Sequence, residues 1–431
     1  MKSIIVLLFL CFFKMNAQDV LTLQDAVKIA LENNYDIKIA ANNSKINQTN
    51  AAAGNAGMLP TVTASVVDNN GIQNLSQTRT DGTTNSLDNA KNESLTYGAN
   101  LDWTIFDGFK MFARYDQLKE LQKLGETQLK QTILNKVSDV TAIYYDLVQQ
   151  QQLLNALDST IVISNQRMNL AQNRFTIGKA SKLETLNAQV DLNTDTTTLL
   201  RQKELYANTK IVLNEQLARD TKLDFKVIDD IEVDDKLQLA ELTALAFKQN
   251  PELEAMVINK RISELQLKQI KGTRYPTVRV NTGYNFGETK SDLGFTTQTS
   301  SRGLNYGFSA TLNLFDGFNQ NRTEKVAKLE LENSQVVIDR QNKTLESQLN
   351  SAFQTYLTNI QLIDLEEKNE AIARQNLDIT LDKFRIGTIT TLEFRTAQLN
   401  YLNAKVRNSD AKFQAKLSEI ALKELAGNLS C

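Results

Sequence analysis

Between Leu95 and Ile105 apolar and polar residues alternate without a break. Leu95, Tyr97, Ala99, Leu101, Trp103 and Ile105 are separated by Thr96, Gly98, Asn100, Asp102 and Thr104. A period of two over this length predicts a strand with one oily and one wet face. The pattern returns as LNYGFSATLNLFDGF at 304–318, and both copies run into Phe-Asp-Gly-Phe, at 106–109 and 315–318. Strands are therefore expected at 95–106 and 303–314. The alternations Val62, Ala64, Val66 and Val278, Val280, Tyr284, Phe286 add strands at 61–68 and 277–286. The Asn/Ser/Thr/Gly-rich stretches 68–94 and 287–302 are expected to be the loops between them.

After each Phe-Asp-Gly-Phe the apolar period changes to about 3.6. Leu129, Ile133, Val137, Val140, Tyr144 and Leu147 lie near one stripe, and the pattern continues to Phe175. It predicts helices over 109–175 and 318–384, each about 100 Å long at ~1.5 Å per residue. Gly178 and Gly387 end them, since glycine takes a left-handed conformation at a helix C-terminus. Ser181, with Glu184 three residues on, has capping-box spacing. Further helices are expected over 181–217 and 390–425. Helical segments over 21–59 and 237–273 precede the strands, the second interrupted where Asn250 precedes Pro251. Two shorter helices stacked end to end would match one long helix and could run antiparallel to it. The stretch 219–236 fits neither period and reads as a linker.

The chain is written twice. Asn34 pairs with Asn250 and Pro60 with Pro276 at an offset of 216 positions. The Phe-Asp-Gly-Phe elements, Phe175-Thr176-Ile177-Gly178 with Phe384-Arg385-Ile386-Gly387, and Leu183-Glu184 with Leu392-Glu393 pair at 209. Repeats at 18–218 and 237–431 follow, with seven more residues between the strands of the first. The fold class is mainly α with a small β part.

Composition supports long elements: there are only 3 Pro and 17 Gly, and aromatics make up 7%. Residues 1–17 resemble an export signal, with Lys2 before the apolar run Ile4 to Phe13 and Asn16-Ala17 at the expected cleavage point. Without Lys2 and Lys14 there are 46 basic against 50 acidic residues, a net charge of −4, which offers no attraction to nucleic acid. Histidine is absent, and past the signal only Cys431 remains. Histidine metal ligands, the common nucleophile–histidine triads and internal disulfides are thereby excluded, and no cofactor or metal is expected.

Four half-oily strands with open edges invite aggregation in water and leave backbone groups unpaired in lipid. Membrane barrels need eight strands or more. Three chains would supply twelve and remove every edge. Tyr97, Leu101, Trp103, Tyr284, Tyr306, Phe308 and Leu312 would then face lipid, while Asn100, Asp102, Asn305, Ser309 and Asn313 would line a wet interior. A soluble sheet packed on a helix is the competing reading of the strands, and a coiled-coil spacer that of the helices.

The doubled helix–Pro–strand–loop–strand order resembles the TolC family of outer-membrane efflux ducts. So do the Phe-Asp-Gly-Phe elements and the turns around Gly178 and Gly387. The resemblance covers essentially all the chain after the signal. It implies a homotrimer with a twelve-stranded transmembrane β-barrel, a long antiparallel α-helical barrel in the periplasm, and passive conduction of substrates. It also implies a periplasmic adaptor and, through it, an inner-membrane pump.

On this resemblance the adaptor would touch the turns at Phe175, Ile177, Gly178, Phe384, Arg385, Ile386 and Gly387. The same glycines read independently as ordinary helix C-caps. Glu393 matches a family position for an acidic periplasmic gate, and Glu184 sits equivalently in the first repeat. Ile389 stands where a latch arginine is often found and Thr396 where a second acid is, which departs from the family pattern. A glutamate favoured by a helix dipole is the alternative for Glu393. A periplasmic or surface coiled-coil scaffold is the alternative function. Nothing places two carboxylates around a pocket, so enzymatic activity is not expected.

Overall fold

The computed structural model describes residues 20–292 and 296–429; the expected export signal and Cys431 lie outside them. The elements are β1 (Val20–Leu21), α1 (Leu23–Asn33), α2 (Tyr35–Asn50), β2 (Thr61–Thr78), β3 (Thr84–Phe106), α3 (Lys110–Thr176) and α4 (Lys182–Gln216). They continue with β4 (Lys226–Val227), α5 (Leu239–Gln249), α6 (Pro251–Gly272), β5 (Thr277–Ser291), β6 (Gln298–Thr311), α7 (Asn319–Arg385) and α8 (Thr391–Leu425). Helices α3 and α7 have 67 residues each and α4 and α8 have 35 each, so the repeat keeps its length turn for turn. No described helix is long and apolar enough to cross a membrane. The chain divides into two compact units. One comprises described residues 20–41, 129–253 and 341–429, and the other 42–128 and 254–340.

The second unit holds a four-stranded antiparallel sheet in the order β2-β3-β5-β6. Its register aligns the apolar positions of all four strands. Val66, Tyr97 and Phe286 form one row, Ala64, Ala99, Tyr284 and Leu304 the next, then Val62, Leu101, Thr282 and Tyr306, and Trp103, Val280 and Phe308. The Tyr97 and Phe286 rings stack at 5.0 Å. Beyond the Tyr97 row the same face turns polar, with Asp68 and Glu288 beside Leu95, then Glu93 opposite Lys290. The oily band is thus about ten residues tall, which suits a tilted strand crossing a bilayer.

The strands outrun this band, which corrects the expected loops at 68–94 and 287–302. Pairing continues to Thr78 opposite Thr84, leaving a turn of only 79–83, and on the other hairpin to Lys290 opposite Gln298. Past the band the pairing is mostly polar, with Ile72 and the Leu75–Leu87 pair the apolar exceptions, and hydroxyls tie it, as in Ser76–Ser86 at 3.0 Å and Thr78–Thr84 at 3.1 Å. A ladder without apolar alternation carries no periodic signal. Strand β6 ends at Thr311 rather than 314, so Leu312 lies just past it. The helical span expected to reach 59 ends at Asn50, in turns that include Gly57 at φ 83°.

Phe-Asp-Gly-Phe is the elbow from strand to helix. Gly108 (φ 74°) and Phe109 (φ 66°) are both left-handed, as are Gly317 (67°) and Phe318 (64°). Glycine takes this conformation freely, and a Cβ at Gly108 would lie 2.1 Å from the Gly272 carbonyl oxygen. The left-handed phenylalanine costs about 1–2 kcal/mol. Edge-to-face packing holds it, Phe109 on Phe106 at 5.2 Å and Phe318 on Phe315 at 5.5 Å. Asp107 and Asp316 then accept the backbone N–H of Met111 and Gln320, satisfying donors in the new helix.

In the first unit the helices run antiparallel side by side. Contacts 150–209 and 164–195 join α3 to α4, 138–424 and 160–398 join α3 to α8, and 359–414 and 366–407 join α7 to α8. The core gathers Ala26, Val27 and Ala30 of α1, Val140, Tyr144 and Leu147 of α3, Leu213 of α4, and Phe225. Leu21, expected to open a helix, instead pairs with Val227 in a two-stranded parallel sheet, so the linker 219–236 is pinned by strand β4.

Asn34 explains the end-to-end helices. Its Oδ1 accepts the Asp36 and Ile37 N–H groups at the start of α2, while its Nδ2 donates to the last α4 carbonyl, Gln216, at 2.8 Å. Asn250 repeats this, accepting from Glu252 and Leu253 and donating to Leu425 at 3.0 Å. One amide satisfies orphan groups of two helix ends.

Candidate functional site

The two helical turns and the side chains behind them form the candidate site, all within the first unit. Both turns close in the same way. Lys179 N–H donates to Arg174 O (2.8 Å) and Gly178 N–H to Phe175 O (3.0 Å); Thr388 donates to Lys383 O (3.0 Å) and Gly387 to Phe384 O (3.1 Å). These are paired six-to-one and five-to-two bonds around a left-handed glycine, φ 73° at Gly178 and 81° at Gly387. No atom lies within 4 Å of a Cβ built on either glycine, so both face open space. Ser181 and Thr390 cap the following helices, accepting the N–H of Glu184 and Glu393.

The residues expected at the turns divide. Ile177 is 65% and Ile386 76% exposed, and Phe175 and Arg385 are exposed as well. Phe384 is not: it is buried and stacks on Phe394 at 4.9 Å. This corrects its placement among surface contacts. Its side chain fastens α7 to α8, because the repeat puts Phe394 opposite it where the first repeat has Thr185. Glu393 is exposed. Glu184 is tied down, accepting from Thr391 Oγ1 at 2.7 Å and pairing with Arg174 at 3.5 Å, so it bridges the two repeats. The two glutamates line one cleft of about 710 Å³ with Asp191, Gly387 and Arg395.

Behind that cleft lies a polar network that the sequence reading missed. Arg395 of α8 holds Asp195 of α4 through two bonds of 2.7 Å, and its Nε lies 3.8 Å from Asp191. Ser164 of α3 donates to Asp195 at 2.6 Å, and Gln398 donates to Ser164 at 2.9 Å. Arg167 of α3, its side chain fully buried, pairs with Asp191. Its Nε and Nη1 have no hydrogen-bond partner. Two guanidinium groups and two carboxylates thus balance in a space where an unpaired charge would be costly. The spacing of Asp191 and Asp195 hints at a shared helix face, yet their partners lie on two other helices.

The family model described as "Outer membrane efflux protein" matches residues 26–218 and 242–428. The chain is 20% identical over 309 residues to outer membrane protein TolC of Escherichia coli K12; the match takes in 69% of this chain and spans 60% of the length of that relative. The Campylobacter jejuni outer membrane channel CmeC superposes with a TM-score of 0.80 at 18% identity, over 94% of this chain and 85% of its own. The Vibrio cholerae outer membrane protein VceC superposes with a TM-score of 0.73 at 15% identity, over 94% and 96%. With both of its repeats matched by one family model, and with the fold of outer-membrane channels, the chain belongs to the outer membrane efflux protein family.

Proposed function

We propose that the chain is one third of an outer-membrane exit duct that conducts substrates passively, as the last stage of a tripartite efflux pump or type I secretion system. The sheet carries this reading. It presents an aligned oily band on one face, a wet opposite face, and two edge strands, β2 and β6. Pairing β6 of one copy with β2 of the next closes twelve strands in a homotrimer, with Tyr97, Leu101, Trp103, Tyr284, Tyr306, Phe308 and Leu312 toward lipid. A coiled-coil scaffold would need no such band. The helical unit then lies in the periplasm, and the exposed turns at Ile177-Gly178 and Ile386-Gly387 receive a periplasmic adaptor that links the duct to an inner-membrane pump.

The cleft behind the turns supplies the gate. Arg395 binds the second repeat to α4 of the first, so the α7–α8 hairpin cannot swing away while that pair holds. Glu393, repeated three-fold, adds a ring of negative charge that favours cations. Sedimentation of the detergent-solubilised protein should give three chains per particle, and planar bilayers should show discrete conducting channels. A monodisperse monomer, or protein that stays in solution without detergent, refutes the duct.

A further inference from the structure

On the wet face of the sheet, asparagine stands opposite glycine in three successive rows. Gly98 faces Asn285, which faces Gly303; Asn100 faces Gly283, which faces Asn305; and Asn281 faces Gly307. Asn100, Asn285 and Asn281 lie across Gly283, Gly98 and Gly307, while Gly303 stays open. A Cβ at Gly283 would sit 2.1 Å from Asn100 Oδ1, one at Gly98 2.2 Å from Asn285 Oδ1, and one at Gly307 3.2 Å from Asn281 Oδ1. Asn285 Nδ2 also donates to Asn100 Oδ1 at 3.0 Å, which links two rows. Glycine inside a strand weakens it, and its use at these positions is explained by the close approach of another group. The amides are held down on the backbone instead of projecting from it.

Charge is missing from the outer rows of the same face. From the row of Asn92 and Ser291 to the row of Asn100 and Gly283, its residues are Asn, Gly, Ser and Thr, with Val67 the one exception. Glu93, Lys290, Glu288 and Arg302 are on the opposite face, while Asp102 and Arg279 lie on this face but only in the rows nearest the helices.

We propose that the outer rows of this face are a neutral lining of low relief which admits cargo by size and does not sort it by charge, with Gly98, Gly283, Gly303 and Gly307 setting the clearance. The inference rests on the duct reading, which turns the wet face toward the interior. It fits cargo of mixed charge and bulk, and it leaves charge discrimination to the helical end.

Cysteine reactivity on intact cells tests it, in the full chain with Cys11 and Cys431 replaced by serine. Ser301→Cys is nearly isosteric, and a Cβ at Gly303 meets nothing within 4 Å, so Gly303→Cys provides a second reporter. Anionic and cationic thiosulfonates of equal size should react with each at rates whose ratio lies within about twofold of that for a free thiol, whereas a charged lining would skew it about tenfold or more. A skewed ratio overturns the neutral lining and leaves the duct standing. No labelling at either position, with the trimer present, overturns the inward orientation and the duct reading with it. For the clearance, Gly303→Trp should slow a polymer-linked maleimide reaching Ser309→Cys at the inner end of the face, while a small thiosulfonate is unaffected. An unchanged polymer rate removes the glycines from that role.

Discussion

Arg395 and Asp195, 200 positions apart, meet through two parallel hydrogen bonds of 2.7 Å in a buried site. A guanidinium gripping both oxygens of a carboxylate fixes direction as well as distance. Each residue comes from a different repeat, so the pair fastens the copies together just behind the turns.

Removing one partner tests the fastening. Arg395→Ala leaves Asp195 buried without its cation, which costs about 3–5 kcal/mol. The melting temperature should fall and channel conductance rise. Arg395→Lys should restore little, since an ammonium cannot reproduce the two-pronged geometry. Arg395→Met combined with Asp195→Leu should recover stability, because an apolar pair of similar volume often equals a buried ion pair. If conductance stays at the parent level in Arg395→Ala, the pair is a packing feature and the gate lies elsewhere.

The proposed ring of Glu393 has a separate signature. Glu393→Ala should lower cation preference, read as a shift in reversal potential across a salt gradient, with the trimer and the melting temperature unchanged. An identical reversal potential would remove this residue from the conducting path.

Gly387 faces open space at φ 81°. A side chain there adds backbone strain of about 1–2 kcal/mol, and its Cβ would meet no atom within 4 Å. Gly387→Trp should therefore assemble to parental abundance in the outer membrane yet lose efflux or secretion, and cross-linking to the adaptor should disappear. Loss of the protein from the membrane would show that the glycine serves the fold alone.

The turn between β2 and β3 narrows to residues 79–83, where Asp81 accepts the Thr83 N–H and hydroxyl. An epitope inserted at Asp81-Gly82 should label whole cells without hindering export. Insertions at Asn70 or Glu93, inside the paired strands, should be poorly tolerated because they break the ladder. Labelling only after the outer membrane is ruptured would reverse the topology.

Asp146 on α3 gives a pH test. Burial raises its pKa, only partly offset by a hydrogen bond from Gln150. A carboxyl with a raised folded-state pKa favours folding while protonated, and that contribution is lost as pH rises through the raised value. Asp146→Asn should therefore melt above the parent at neutral pH, with the difference vanishing below the ordinary aspartate pKa of about 3.9. A variant that melts lower at neutral pH would indicate that the ionised form has a partner.

The sequence by itself determined the repeat, the long helices and the oily strand face. Each is written as a local period, and each glycine or asparagine–proline break marks where a period must stop. The facing of each strand residue followed as well, since a one-residue slip would turn Tyr97 and Tyr284 to the wrong side, whereas which residue pairs with which did not. Tertiary structure alone decided what has no period. The strands past Asp68 are held by backbone pairing between mostly polar residues, and the short strand at Val20–Leu21 exists only because Lys226–Val227 lies beside it. The inward turn of Phe384 depends on Phe394, and the network of Arg167, Asp191, Asp195 and Arg395 depends on three helices meeting. A charged residue on an amphipathic helix reads as solvent-facing until another element covers it, and only packing supplies that cover.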